Sequence, residues 1–396
     1  MSTTKRRGIA LLGSTGSIGR SGLDVIGSLP QRLRAVALAA GTNAELMAEQ
    51  AARFRPRLIA MATPAAAAEV AALLRARRAP VPEVLHGPEG LRAVATHADA
   101  DMVLAATVGV TALPAIFAAV EAGRDIALAN KEALVVAGGL LLGRARATGA
   151  AILPVDSEHS AVHQCLRSGS PREVERITLT ASGGPLLRVP AHQLEAVTPE
   201  QALRHPTWSM GTRISLDSAT LMNKGFEVIE ACWLFGLGED RVEVLVHQQS
   251  ILHSMVEFVD GSVIAQLGPP DMRIPIQYAL TYPIRIEAER NRLKLEEISR
   301  LEFERPDVER FPCLGLARAA WRAGGVAAVA LNAADEVALA GYVQRKLRFT
   351  AIAPIIEETM AAMVGQDWSP EELNSILAAD AEARRLAEDL LKRHAL

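Results

Sequence analysis

The sequence is poor in cysteine and in aromatic residues, and its charges nearly cancel. Its three cysteines lie far apart and form no CxxC pair, which predicts a reduced, cytoplasmic protein. The net charge of −3, from 42 basic and 45 acidic residues, provides no basic field for nucleic acid. With 396 residues, the chain is still long enough for two or three domains, each with its own core.

Long apolar segments without interruption are also missing. Residues 102–120 carry no charge, but Gly109 and Pro114 lie among them and favour a buried strand, a turn and a helix over a membrane span. The apolar run 9–12, which follows a basic start, is too short for the core of a signal peptide. We therefore expect no membrane partner and no signal or transit peptide.

What the sequence does contain, in its first 150 residues, is a regular alternation of short apolar runs and helical patterns. The apolar runs that we predict as strands are 8–12, 34–40, 58–61, 102–106 and 125–129. Strands that alternate with helices are typical of a parallel sheet. The pattern predicts an α/β protein whose N-terminal domain, residues 1–150, is a Rossmann-like, doubly wound parallel sheet.

The rest of the chain predicts a different architecture. Further strands are expected at 151–155, 176–181, 242–246 and 262–266, and a helix at 218–235. We predict a central α+β catalytic domain over residues 151–285, with an irregular, lid-like stretch at about 182–213. A linker at 286–311 would lead to a helical domain at 312–396. Within that domain, Ser369 and Pro370 predict a helix start.

Three glycines follow the first predicted strand at the spacing GxxGxxG, namely Gly13, Gly16 and Gly19. Such a turn lets the backbone approach a pyrophosphate at the start of the next helix, although a glycine-rich turn without a ligand is the alternative. No carboxylate occupies residues 39–43 after the second strand, which favours NADPH over NADH. Alternatively, Thr42 and Asn43 merely cap a helix.

Two acidic clusters are the candidate metal and substrate site. Asp156 and Glu158 would share one side of an extended segment, with Ser157 opposite, unless the triplet simply caps a helix running to Leu166. Glu227 would supply a third carboxylate, which makes a set of oxygen ligands suited to a hard divalent cation.

The second cluster, Asn223-Lys224-Gly225-Phe226-Glu227, puts an amide and a carboxylate four residues apart on one helix face. The alternative is a surface ion pair. Asn130-Lys131-Glu132, which follows a strand, could reach a nucleotide or could be an ordinary helix N-terminus. His205 and Trp208 lie in the irregular, lid-like stretch, and they could form a lid over substrate or a packed core pair.

These motifs together resemble the 1-deoxy-D-xylulose 5-phosphate reductoisomerase family over essentially the whole chain. The segments that carry the resemblance are GSTGSIG (13–19), NKE (130–132), PVDSEHSA (154–161), ASGGP (181–185), HPTWSMG (205–211), DSATLMNKGFEVIEA (217–231) and GPPDMRIPIQYAL (268–280). The resemblance implies an NADPH- and metal-dependent enzyme that rearranges and reduces 1-deoxy-D-xylulose 5-phosphate, a homodimer in the cytoplasm.

The resemblance also implies a role for each matching residue. The metal ligands, for Mg²⁺, Mn²⁺ or Co²⁺, would be Asp156, Glu158 and Glu227. The residues that contact substrate would be Lys131, Ser157, Glu158, Ser182, His205, Trp208, Met210, Ser218, Asn223, Lys224 and Glu227. The catalytic residues among these would be Lys131, Asp156, Glu158, His205, Lys224 and Glu227. The residues that contact NADPH would be Thr15, Gly16, Ser17, Ile18, Gly41, Thr42, Asn43, Asn130, Glu132 and Gly211.

One position departs from the family. Many relatives carry a basic residue where this chain has Thr42, so the preference for NADPH is least well supported there. Two rival functions use parts of the same pattern. A semialdehyde dehydrogenase would need a catalytic cysteine in a glycine-rich or histidine-paired context, which the sequence does not offer. A non-catalytic NADP-binding sensor would need the nucleotide turn but neither three carboxylates nor a lid.

Overall fold

A computed structural model describes residues 6–205, 211–287 and 292–395 of the protein. The strands are β1 Arg7–Leu12, β2 Leu33–Ala40, β3 Leu58–Met61, β4 Glu83–His86, β5 Met102–Ala105, β6 Asp125–Leu128, β7 Ile152–Pro154, β8 Val174–Ala181, β9 Val242–Val246, β10 Leu252–Phe258 and β11 Val263–Leu267. The helices are α1 Ser17–Ser28, α2 Ala44–Phe54, α3 Pro64–Ala76, α4 Gly87–Ala95, α5 Leu113–Glu121, α6 Glu132–Thr148, α7 Ser157–Cys165, α8 Pro199–Ala202, α9 Thr212–Thr220, α10 Met222–Phe235, α11 Arg273–Thr281, α12 Leu295–Ile298, α13 Cys313–Ala323, α14 Ala327–Val343, α15 Ile352–Met363 and α16 Leu373–Arg393.

The chain forms two compact units. Unit 1 comprises Met1–Asn130, Leu141–Ser160 and Asp271–Arg290, and unit 2 comprises Lys131–Leu140, Ala161–Pro270 and Asn291–Leu396. The units interleave along the chain, so they differ from the sequence domains, whose boundaries stay predictions. Within the described residues, no helix is both long and apolar enough to cross a membrane.

Unit 1 contains a parallel sheet of seven strands in the order β4-β3-β2-β1-β5-β6-β7. The strands at its centre are runs of apolar residues buried on both faces, as in β1 and β5, because helices of the doubly wound fold cover each face. The five strands predicted before residue 150 are confirmed. The edge strand β4 was missed, because its four residues are half-buried or exposed and lack an apolar run.

A tight turn joins β1 to α1. Gly13 has φ +88°, a value that favours glycine, and both its N–H and that of Ser14 donate to the carbonyl of Ala39 at 2.9 and 2.8 Å. A Cβ on Gly19 would lie 2.2 Å from the carbonyl oxygen of Gly13. The glycine at position 19 therefore lets α1 start directly against the end of β1.

Unit 2 contains a mixed sheet of four strands in the order β11-β10-β8-β9. Strand β8 pairs parallel with β9 and antiparallel with β10, and β10 pairs antiparallel with the edge strand β11. The strands predicted here are confirmed. Strand β10 was missed because His253, Ser254 and Glu257 interrupt its apolar pattern.

Two helix predictions are wrong. The helix predicted at 218–235 is in fact two helices, α9 and α10, which are separated at Leu221 by a left-handed residue with φ 62°. The start predicted at Ser369 also fails, since α16 begins at Leu373. The hydroxyl of Ser369 accepts a hydrogen bond from the N–H of Glu371 within a turn. The Ser369 side chain therefore stabilises this turn and does not cap α16.

Replacing Gly19 with alanine should destabilise unit 1, because the new methyl group would meet backbone atoms of Gly13 and Ser14 at 2.2 and 2.6 Å. We expect a loss of about 1–3 kcal/mol in the free energy of unfolding, measured by urea titration with circular dichroism. The matched control is Gly16→Ala, where the nearest atom lies 3.4 Å away and the loss should stay within about 0.5 kcal/mol. Equal losses in the two variants would show that the turn does not constrain position 19.

Candidate functional site

The glycine turn of unit 1 ends where α1 begins, and the predicted pyrophosphate contacts lie on it. Gly16 is the N-cap residue of α1, with φ −72° and ψ 173°, and it has no side chain that could cap the helix. Ser17 and Ile18 form the first turn. The N–H groups of a helix start lack partners within the helix, so this position suits an anion such as a phosphate.

The residues that follow β2 are exposed to solvent. Gly41 and Thr42 are exposed, and a Cβ on Gly41 would meet no atom within 4 Å. The side chain of Asn43 accepts a hydrogen bond from the N–H of Leu46 at 3.1 Å and caps α2. Asn43 therefore caps α2, while its contact with a nucleotide stays a prediction, and Thr42 is an exposed position without charge.

Asn130 is almost completely buried at the end of β6. Its amide nitrogen donates to the carbonyls of Thr107 and Gly109 at 2.8 and 3.0 Å. These bonds tie the loop after β5 to the start of the NKE segment. Asn130 therefore holds the backbone of this loop, and the resemblance implies a nucleotide contact as well.

The acidic triplet does not form an extended segment, and that prediction is wrong. Ser157 begins α7, and the carbonyl of Asp156 accepts the N–H of Ser160 at 2.8 Å. The Asp156 side chain accepts from the N–H of Glu158 at 3.4 Å, and the Ser157 hydroxyl donates to the Glu158 carboxylate at 2.5 Å. The triplet is therefore a helix start, in which Asp156 accepts an N–H that the first turn leaves without a partner, and its role as a metal site stays a prediction.

Four polar side chains of unit 2 meet on the first turns of α10 and at the NKE segment. We call Lys131, Asn223, Lys224 and Glu227 the α10 cluster. Lys131 Nζ donates to Asn223 Oδ1 at 2.6 Å and lies 3.6 Å from the Glu227 carboxylate. Asn223 donates its amide to Glu227 at 2.5 Å, and Lys224 pairs with the same carboxylate.

Burial decides how the α10 cluster should be interpreted. The side chain of Glu227 is 1% exposed and that of Lys224 is 4% exposed, so the surface ion-pair alternative is wrong. Because transfer of charges out of water is costly, a buried cluster of this kind is more typical of a functional site than of a stabilising device. The cluster thus places two ammonium groups and an amide, all of which can donate hydrogen bonds, beside one carboxylate.

A serine and a histidine lie together after β8. Ser182 Oγ and His205 Nε2 are 2.8 Å apart, and the Ser182 hydroxyl also accepts the N–H of Gly184 at 3.2 Å. Burial lowers the pKa of His205, which favours its neutral form. Ser218 is buried on α9, and Gly211, the N-cap of that helix, is exposed. Both members of the predicted lid, Trp208 and Met210, lie outside the described residues.

The cysteines do not form a nucleophilic site. All three are buried, and none of them forms a disulfide within the described residues. Burial raises the pKa of Cys232 and, more strongly, that of Cys313, which keeps both as thiols. Neither Cys232 nor Cys313 therefore fits the catalytic cysteine that a semialdehyde dehydrogenase would need.

Sequence reasoning missed Arg213 on α9, because its partners are distant in sequence. Its Nη1 donates to the carboxylates of Glu132 and Glu336 at 2.5 and 2.6 Å, and its Nη2 donates to Asn332 Oδ1 at 2.6 Å. Burial lowers the pKa of Arg213, but the surrounding carboxylates outweigh that effect and raise it. The Glu132 carboxylate, predicted as a nucleotide contact, is thus held by a guanidinium.

Two buried acids lie beside Arg213. Burial raises the pKa of Asp217 to about 6, against the attraction of Arg213. Burial also raises the pKa of Asp335 well above its ordinary value, and the neighbouring Asp217 adds to the rise. The raised pKa of Asp335 favours its protonated form, which reduces the negative charge beside Asp217.

The three predicted metal ligands divide between the units. Asp156 and Glu158 belong to unit 1, and Glu227 belongs to unit 2. All three offer carboxylate oxygens, the donors that Mg²⁺ and Mn²⁺ prefer. Their joint use as a metal site stays a prediction.

The variant Asp335→Asn should change how stability depends on pH. Because the folded pKa of Asp335 is raised above 3.8, its proton stabilises the folded state at low pH, and this contribution is lost as the pH rises towards the folded pKa. Between about pH 5 and about pH 8, wild type should lose about 1–3 kcal/mol of unfolding free energy relative to the variant, measured in urea.

The matched control is Asp307→Asn. Hydrogen bonds from the backbone and side chain of Arg310 lower the pKa of Asp307, so its contribution is lost only below its ordinary pKa of 3.8. The difference between wild type and this control should therefore stay constant over the same range. A constant difference for Asp335→Asn as well would mean that Asp335 is ionised in the folded protein.

Comparison with known proteins covers nearly the whole chain. Family models described as 1-deoxy-D-xylulose 5-phosphate reductoisomerase, its C-terminal domain and the DXP reductoisomerase C-terminal domain match residues 9–138, 152–235 and 267–386. The 1-deoxy-D-xylulose 5-phosphate reductoisomerase of Methylococcus capsulatus is 50% identical over 387 residues, which are 96% of this chain and 98% of that protein. The enzyme of the same name from Ectopseudomonas mendocina is 49% identical over 399 residues, with both chains fully covered.

Solved structures agree with this assignment. The Zymomonas mobilis reductoisomerase in complex with NADPH is 40% identical, with a TM-score of 0.91 and coverage of 98% of this chain and 100% of that one. A DOX-P reductoisomerase in complex with NADPH, fosmidomycin and magnesium is also 40% identical, with a TM-score of 0.91 and coverage of 98% of each chain. From the family models and the relatives that match it over nearly its whole length, the chain belongs to the 1-deoxy-D-xylulose 5-phosphate reductoisomerase family.

Proposed function

We propose that this chain converts 1-deoxy-D-xylulose 5-phosphate to 2-C-methyl-D-erythritol 4-phosphate, with NADPH and a divalent metal, for isoprenoid precursor synthesis. The observation that carries the proposal is the α10 cluster, a buried set of two ammonium groups, an amide and a carboxylate. An anionic sugar phosphate with several hydroxyls complements such a set, because ammonium and amide groups donate to phosphate and hydroxyl oxygens.

NADPH would bind unit 1 at the glycine turn. Its pyrophosphate would lie on the residues from Thr15 to Ile18, at the N-terminus of α1. The adenosine end would lie near Gly41, Thr42 and Asn43, whose exposure leaves room for it. Further contacts would come from Asn130, Glu132 and Gly211. The cofactor, when bound, supplies the hydride, and the protein supplies orientation.

Asp156, Glu158 and Glu227 would hold the metal, which can be Mg²⁺ or Mn²⁺. Their chemistry fits, since all three donors are carboxylate oxygens and Glu227 is almost completely shielded from water. When bound, the metal supplies Lewis-acid polarisation of the adjacent ketone and hydroxyl oxygens of the substrate.

The substrate contacts follow from the side chains of unit 2. Lys224, Asn223, Ser182 and Ser218 would bind the phosphate and hydroxyls. His205, held near Ser182 and favoured in its neutral form, can donate to or accept from a substrate oxygen.

The remaining substrate positions follow the family. Lys131 would face the reacting carbons, and Ser157 and Glu158 would contact substrate next to the metal. Trp208 and Met210 would cover the substrate, so that a reactive aldehyde formed by cleavage and rejoining of the carbon skeleton is reduced before water reaches it.

The roles of the domains, the cellular location and the oligomeric state are also proposed from the family. Residues 1–150 would serve the nucleotide, 151–285 the metal and substrate, 286–311 as a linker, and 312–396 as a helical domain. A cytoplasmic homodimer is expected. The edge strand β11 supports self-association, because Val263 and Ile264 on it are exposed, and such edges pair with other chains unless they are covered.

The direct test is oxidation of NADPH by the purified protein with 1-deoxy-D-xylulose 5-phosphate, with and without EDTA, and with Mg²⁺ or Mn²⁺ restored. We expect turnover that EDTA abolishes and that either metal restores. NADPH binding without turnover in any metal would indicate the non-catalytic sensor instead.

Glu227→Gln should lower kcat by roughly 10³-fold at limiting metal, because it removes one charge from the metal ligands. NADPH, for which Glu227 is not a proposed contact, should retain its affinity, measured by fluorescence titration. The matched control is Glu239→Gln, another largely buried, ion-paired glutamate of unit 2, with 14% of its side chain exposed. Near-normal turnover in Glu227→Gln would rule out the ligand assignment.

Thr42→Arg should raise the ratio of kcat/KM for NADPH to kcat/KM for NADH. A guanidinium at this exposed position can form a charge-assisted hydrogen bond with the 2′-phosphate, which corresponds to about a tenfold change. The control Thr42→Gln adds length without charge and should leave the ratio near that of wild type. An unchanged ratio in the arginine variant would show that the 2′-phosphate lies elsewhere.

A further inference from the structure

Arg213 connects three helices of unit 2. It is the second residue of α9, and its guanidinium reaches Glu132 at the start of α6 and Asn332 and Glu336 on α14. Glu336 is held in turn by Arg384 on α16 at 2.7 Å. A planar guanidinium donates in several fixed directions, so it can hold several partners at defined angles where an ammonium group cannot.

The surroundings of Arg213 are acidic and poorly solvated. Only 16% of its side chain is exposed, and the side chains of Glu132 and Asp217 are 6% and 2% exposed. Asp217 lies 3.6 Å from Nε, and Asp335 lies 3.9 Å from Nη2. Because buried carboxylates need a compensating cation, the positions of these acids depend on Arg213.

Two of the acids are neighbours, in sequence, of proposed substrate contacts. Glu132 follows Lys131, which donates to Asn223 in the α10 cluster. Asp217 precedes Ser218 on α9. One guanidinium thus holds the backbone beside Lys131 and, one turn further along its own helix, the backbone beside Ser218.

We propose that Arg213 is a positioning residue, which fixes Lys131 and Ser218 relative to each other through Glu132 and Asp217. This inference rests on the proposed function, since it concerns where the substrate contacts lie. Arg213 itself would touch neither substrate nor cofactor, because Nη1 and Nη2 donate to Glu132, Glu336 and Asn332, and Nε is buried beside Asp217.

A purely structural role is the alternative, and Arg318 provides the comparison. It lies on α13 with 23% of its side chain exposed, and it donates to the Glu239 carboxylate at 2.5 Å and to the carbonyl of Val242 at 2.6 Å. Arg318 therefore matches Arg213 in burial and pairing, but its partners do not adjoin any proposed substrate contact.

The experiment compares Arg213→Met, Arg213→Lys and Arg318→Met in the full chain with NADPH and Mg²⁺. We expect Arg213→Met to raise the KM for 1-deoxy-D-xylulose 5-phosphate roughly tenfold and to lower kcat/KM roughly 100-fold, because misplaced contacts cost rate as well as binding. The kcat/KM of Arg213→Lys should lie between those of wild type and Arg213→Met, since lysine keeps the charge but lacks the planar set of donors. Arg318→Met should lose comparable thermal stability, with kcat/KM within about threefold of wild type.

The proposal is overturned if Arg213→Met and Arg318→Met have the same kcat/KM after correction for the folded fraction. If Arg213→Met does not fold, Arg213→Lys decides, and wild-type kinetics in that variant would overturn the proposal. Failure of wild type to turn over the substrate would instead contradict the proposed function, so the two failures are distinguishable.

Discussion

The structure of unit 2 depends on one buried interaction, the pairing of Glu227 with Lys224 and Lys131. A carboxylate with 1% of its side chain exposed must be compensated, and here the compensation comes from the same helix and from the NKE segment. Asn223 completes the set by accepting from Lys131 and donating to Glu227. The geometry requires α10 to start beside Lys131, and the left-handed residue at Leu221 makes this possible by ending α9 just before it.

A second buried charge system lies around Arg213, and its balance is opposite to that of the α10 cluster. The α10 cluster pairs two ammonium groups with one carboxylate, whereas Arg213 lies among four carboxyl groups, of which Glu336 also pairs with Arg384. Burial raises the pKa of Asp335 and so favours its protonated form, which reduces the negative charge around Arg213. Residues adjacent in sequence thus belong to the two systems, as Lys131 in the α10 cluster and Glu132 beside Arg213 illustrate.

The sequence predicted most of the fold of unit 1, because doubly buried strands such as β1 and β5 are runs of apolar residues. Strands with polar residues, such as β10, gave no such signal. The break at Leu221 could not be predicted, since leucine is a good helix former and only tertiary packing imposes its left-handed conformation. Asn223, Lys224 and Glu227 were recognisable by their spacing, but Arg213 was not, because its partners at 132, 332 and 336 are brought to it only by folding.

The central claim is that these charges serve a reaction in which the carbon skeleton rearranges before hydride arrives. The most direct test supplies NADPH deuterated at the transferring position together with 1-deoxy-D-xylulose 5-phosphate and Mg²⁺, and locates the label in the product by nuclear magnetic resonance. The account predicts one deuterium on the new primary alcohol carbon of 2-C-methyl-D-erythritol 4-phosphate. Deuterium on an unbranched product, from direct reduction of the substrate ketone, would contradict it.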